Sequence, residues 1–171
     1  SKGKVASFNL HSLGGVFVMI GTNLHEELFH IVVPIVPEPK RRPRATTMMT
    51  SAGPRARVYQ SKKDKDWEQA MYSALIDSMP TVPWSMGIEM RVEFYMPRPK
   101  RLCRKKDPEY PLPHTTKPDL SNLVKSLEDV LAKIGFMDDD KLIHSTIARK
   151  FYCEKGGRPR VEIWMRQDRI S

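Results

Sequence analysis

Between residues 62 and 79 the apolar side chains Trp67, Ala70, Met71, Ala74, Leu75 and Met79 recur every three or four positions. That spacing predicts an amphipathic helix with one buried face, which Pro80 and Pro83 stop. A second stripe, Leu120, Leu123, Val124, Leu127, Leu131 and Ile134, predicts another helix over 120–134. Asp119 or Ser121 is available as its N-cap and Gly135 as its C-cap. Residues 88–96 alternate, with Ile88, Met90, Val92, Phe94 and Met96 set against Glu89, Arg91, Glu93 and Tyr95, as a half-buried strand does. Residues 29–36 are short and β-branched and read as an earlier strand closed by Pro37 and Pro39. Residues 143–153 and 160–165 read as two more, and Gly156 and Gly157 between them suit a hairpin. The order strand, helix, strand, helix, hairpin predicts an α/β (α+β) fold. It is expected as a single compact domain over 29–168, a small mixed or antiparallel sheet packed with two helices. Residues 1–28 are expected as a leader or flexible N-terminal extension.

Charge changes the picture. The 171 residues carry 29 Lys plus Arg against 20 Asp plus Glu, a net charge of +9, and a polyanion is the natural partner of such a surface. The excess is concentrated in two segments without periodicity. One holds Lys40, Arg41, Arg42 and Arg44; the other, a long loop over 98–114, holds Arg98, Lys100, Arg101, Arg104, Lys105 and Lys106. These residues, with Arg158 and Arg160, are candidates for contact with DNA phosphates. Trp84 and Tyr59 are candidates for base stacking, with core packing the stronger expectation for each. No apolar run approaches the roughly 18 residues that span a bilayer, so no membrane partner is expected. Cys103 and Cys153 have no metal-ligand spacing and read as free thiols in a reducing, cytoplasmic compartment.

The acidic residues are few and unevenly placed. Asp138, Asp139 and Asp140 are adjacent and repel one another unless they are solvated, paired or bound to a cation. Asp119 lies where the second helix begins. That helix is about 22 Å long, so Asp119 and Asp140 meet only if the chain doubles back after Gly135. Carboxylates that met there would suit Mg²⁺ or Mn²⁺ and phosphodiester hydrolysis. Lys125, one turn from Ser121, is placed to stabilise charge in such a reaction, unless it is an ordinary exposed lysine.

The string Lys117-Pro118-Asp119-Leu120-Ser121-Asn122-Leu123-Val124-Lys125, followed by Glu128-Asp129-Val130-Leu131, Gly135-Phe136 and Asp138-Asp139-Asp140, resembles the signature of the RusA family of Holliday junction resolvases. The segments 37–44 and 96–100 extend the resemblance, which covers about 29–165. It implies a homodimer that binds four-way DNA junctions and nicks opposing strands with the help of a divalent metal. By the same resemblance Asp119, Lys125 and Asp140 are the catalytic residues, and Asp119, Asp139 and Asp140 hold the metal. One position departs from the pattern, because Ser121 stands where the best-known members carry a second aspartate. A hydroxyl is a poorer ligand than a carboxylate, so Asp138 or Glu93 is the candidate substitute. The competing expectations are a junction-binding protein with a weakened or inactive metal site and, more remotely, an RNA-binding module.

Overall fold

A computed structural model of the chain describes residues 10–13, 16–23, 26–40, 44–59 and 61–168. Among these described residues five strands precede the first helix: β1 (Leu10–Leu13), β2 (Val16–Asn23), β3 (Glu26–Val33), β4 (Arg44–Thr50) and β5 (Gly53–Tyr59). They are followed by α1 (Lys62–Leu75), β6 (Ile88–Met96), β7 (Leu112–Pro113), α2 (Leu120–Lys133), β8 (Ile143–Tyr152) and β9 (Arg160–Gln167). The main sheet has the order β1-β2-β3-β9-β6-β8-β7, while β4 and β5 form a separate two-stranded ribbon. Within the main sheet β6 and β8 are parallel and the other neighbours antiparallel. The α+β class, with a mixed sheet and two helices, is as the residue pattern predicts.

The alternation along β6 decides which way the sheet faces. Ile88, Met90, Val92, Phe94 and Met96 are buried in one core with Trp67, Met71 and Leu75 of α1 and Leu123, Leu127, Val130 and Leu131 of α2. Each such side chain contributes roughly 1.5–3 kcal/mol on burial, which is why the stripes on both helices turn to this face. Ser61 starts α1 with a capping box: its hydroxyl accepts from the Asp64 amide, and the Asp64 carboxylate accepts from the Ser61 amide. Gly135, at φ +82°, ends α2, and the Phe136 amide returns to the Leu131 carbonyl at 2.9 Å.

Four expectations change. Residues 143–153 and 160–165 do not pair as a hairpin, because β6 lies between β8 and β9 and bonds to both. The turn at Gly156 exists, but it spans a strand. The first strand ends at Val33 rather than Val36, since Pro34 has no amide to extend the ladder. Upstream of it, residues placed by sequence in a leader or flexible extension supply β1 and β2, which continue the sheet antiparallel to β3. The loop over 98–114 is also more ordered than its composition implies. The Arg98 guanidinium donates to the carbonyls of Leu102 (2.9 Å), Pro108 (2.8 Å) and Tyr110 (3.1 Å), folding the loop around a half-buried side chain. Cys103 and Cys153 are free thiols. Among the described residues no helix is long and apolar enough to cross a membrane.

The sheet face turned away from the helices carries an ionic cluster. Glu93, 7% exposed, accepts from Arg91 at 2.7 Å and from the Tyr95 hydroxyl at 2.8 Å, with Arg149 at 3.9 Å. Burial raises the Glu93 pKa, but these partners outweigh it and hold the carboxyl below its ordinary value of 4.5. A depressed carboxyl stabilises the fold above its unfolded value, and that contribution is lost as pH falls through the folded one. Glu93→Gln is therefore expected to destabilise by about 1–2 kcal/mol at neutral pH, with the gap to wild type narrowing in acid, as pH falls through the depressed Glu93 value below 4.5. Urea midpoints at neutral and acid pH measure this, and a gap independent of pH refutes it.

Candidate active site

The chain that leaves α2 at Gly135 is caught by Trp84. The Trp84 amide donates to the Phe136 carbonyl (3.1 Å), and the Asp138 amide donates back to the Trp84 carbonyl (3.0 Å). The Phe136 ring is 1% exposed and meets Phe29 and Trp84 edge-on, with centroids 4.9 and 5.1 Å away. Trp84 thus belongs to the edge of the core and is not presented for base stacking. So anchored, the chain runs back beside α2, and the Lys125 ammonium donates to the Asp140 carboxylate fifteen residues further along.

Lys125 also pairs with Asp129 at 3.3 Å, one helical turn on, and Asp129 accepts Lys40 from the preceding basic segment. The Lys40 amide bonds the Asn122 carbonyl at 3.0 Å, which fixes that segment against α2. The result is an alternating row Lys40, Asp129, Lys125, Asp140. Its members are between a third and a half exposed, so the row adds little stability and chiefly orients its side chains. The Asp140 hydrogen bond, helped by Asp129, raises the Lys125 pKa above its ordinary 10.5, and the group stays cationic at neutral pH. Glu128, on the same helix, is pushed up by burial and by Asp140 and Asp129, against the pull of Lys125.

The other expected site residues are placed differently. Asp139 is turned into its own loop: it accepts from the Lys141 amide at 2.9 Å and the Lys141 ammonium at 3.2 Å, which lowers its pKa. Asp119 is the exposed N-cap residue of α2, and its side chain makes no capping hydrogen bond. Ser121, Asn122 and Asp138 are exposed. Glu93 faces away from α2 into the ionic cluster, so it is not the substitute for Ser121. Among the described residues no three His, Cys, Asp or Glu side chains converge closely enough to form a metal cage.

Of the basic candidates, Lys100, Arg101, Arg104, Lys105 and Lys106 are all exposed on the loop that leads into Asp119. Lys40 is held by Asp129. Arg41 and Arg42 lie outside the described residues, as do the side chains of Arg44 and Tyr59. Arg158 is exposed, whereas Arg160 is committed to Glu154 and Glu162 and stacks over Tyr95 at 3.8 Å. Sequence reasoning missed Asp129 as a site residue, although its position four residues after Lys125 is a legible helical pairing.

The comparisons with known proteins bear on this same stretch. The family model described as endodeoxyribonuclease RusA matches residues 34–166, most of the chain, including Asp119, Asp129, Asp138, Asp139 and Asp140. An uncharacterized protein of Bacillus subtilis (strain 168), YqaN, is 33% identical over 112 residues, covering 61% of this chain and 75% of its own length. The stretch that folds Asp140 back onto Lys125 lies inside the family match, and the chain belongs to the RusA family of endodeoxyribonucleases.

Proposed function

We propose that the protein is a divalent-metal-dependent, structure-selective endonuclease that resolves four-way DNA junctions by paired phosphodiester cleavage. The observation that carries this reading is the Lys125 to Asp140 contact, which gathers a fixed cation and a carboxylate on one side of α2. Asp119, Asp139 and Asp140 offer oxygen donors only, the set a hard cation takes. Mg²⁺ commonly uses just one or two protein carboxylates and keeps several waters, so two of these side chains suffice to hold Mg²⁺ or Mn²⁺. Such an ion, when bound, supplies an activated water and charge for the phosphoryl oxygens. Lys125, held protonated by Asp140, adds positive charge beside the same oxygens. Lys40, Lys100, Arg101, Arg104, Lys105 and Lys106, with Arg41, Arg42 and Arg44, bind backbone phosphates and fix register without reading sequence. Nicking two opposing strands needs two such sites, which a two-fold homodimer provides.

The departure at Ser121 favours one second reading, a junction-binding protein whose metal site is too weak to cut. Both are tested on a synthetic four-way junction with Mg²⁺, Mn²⁺ or EDTA, comparing wild type with Ser121→Asp. The expected result is paired nicking by wild type with either ion and none in EDTA. Binding without nicking under any ion, with activity gained by Ser121→Asp, establishes the weakened site instead.

A further inference from the structure

Asp119 is held by its backbone alone. Its carbonyl accepts the first bond of α2, from the Leu123 amide at 3.3 Å, and its carboxylate makes no capping bond. On the other side, Lys150 of β8 takes hold of the peptide units that precede it. The Lys150 ammonium donates to the Thr116 carbonyl at 2.7 Å and to the Pro118 carbonyl, the oxygen of the peptide that joins Pro118 to Asp119. Register explains why Lys150 can do this. It pairs with Phe94 and therefore stands on the helix-facing side of the sheet, near its β7 edge. The same strand grips the approach to Asp119 at further points. Leu112 and Pro113 pair with Tyr152 and Phe151, the His114 amide donates to the Lys150 carbonyl at 3.1 Å, and the Thr116 and Tyr152 hydroxyls are 3.2 Å apart.

We propose that Lys150 is a positioning residue for Asp119. By fixing the orientation of the Thr116 and Pro118 carbonyls it presents the Asp119 carboxylate, already oriented, to a divalent cation. This rests on Asp119 being a metal ligand. An ammonium has three donors in tetrahedral array and no acceptor, so it suits two converging carbonyls, whereas an amide NH₂ has only two donors, fixed in one plane, and brings an acceptor oxygen with it. Groups that orient a ligand this way commonly change metal affinity 10- to 100-fold when removed.

The test uses the full chain without DNA. Mn²⁺ binding is titrated by calorimetry, and amide hydrogen exchange is followed over residues 116–123 in the metal-free protein. Lys150→Met is expected to weaken Mn²⁺ binding about tenfold or more and to speed exchange at those amides, while exchange in α1 is unchanged. Lys150→Gln, which keeps a neutral two-donor amide on a shorter stem, is expected to fall between the two and decides the matter if Lys150→Met does not fold. Mn²⁺ affinity or 116–123 exchange equal to wild type in the variants overturns the positioning role and leaves the metal reading of Asp119 standing. A parent that binds no Mn²⁺ overturns that reading and the role of Lys150 with it.

Discussion

Asp140→Asn is expected to reduce the single-turnover rate of junction cleavage by about 10³-fold, in Mg²⁺ and in Mn²⁺, while the protein folds and binds junctions as before. Two losses combine. The amide is a neutral and poorer ligand for a hard cation, and it releases Lys125 from the acceptor that aims it. Asn matches Asp in shape and the position is a third exposed, so stability changes little. The sign of the binding effect is itself informative. Removing a negative charge beside the phosphates leaves affinity in EDTA equal to wild type or slightly tighter. Cleavage within tenfold of wild type would refute the site assignment, and a matched loss of binding and cleavage would mean that Asp140 acts on DNA affinity instead. Lys125 and Asp140 depend on each other, so Lys125→Met combined with Asp140→Asn should cost much less than the product of the two single changes.

How much of this was legible in the sequence depends on whether the signal was local. The residues of β6 and α2 announce themselves because burial on one face imposes a period of two or of 3.6 on the residues themselves, and the observed Ile88–Met96 and Leu120–Lys133 follow it closely. The partner of each strand is not written that way. Gly156 marks a turn, but nothing near it says that β6 will lie between β8 and β9. The face of Glu93 could be read from the alternation of β6, but the assignment of that face to an ionic cluster opposite the helices required β8 and β9 to be placed. The site divides in the same manner. The motif around Asp119 and Lys125 is a sequence feature, whereas the return of Asp140 to Lys125 depends on Trp84, more than fifty residues upstream, whose backbone brackets Phe136 and Asp138.

That dependence makes Phe136 the place where core packing and the candidate site are most tightly joined. Phe136→Ala removes a ring that is 1% exposed and packed edge-on against Phe29 and Trp84, and the cavity is expected to cost about 3–5 kcal/mol. For a chain of this size that lowers the melting midpoint by roughly 10–15 °C, with the urea m-value unchanged if the native state otherwise persists. A second consequence separates Phe136 from an ordinary core residue. Met71 of α1 is 0% exposed, so Met71→Ala is expected to lose comparable stability, about 2–5 kcal/mol, without touching the turn that carries Asp140. With both variants assayed well below their midpoints, Phe136→Ala should lose about tenfold or more in junction cleavage, and Met71→Ala about twofold at most, because small misplacements of a catalytic group are costly. Equal cleavage by the two would show that the acidic turn is held by the Trp84 backbone bonds alone. Unequal cleavage at equal stability would show that the ring at Phe136 helps set the distance between Asp140 and Lys125.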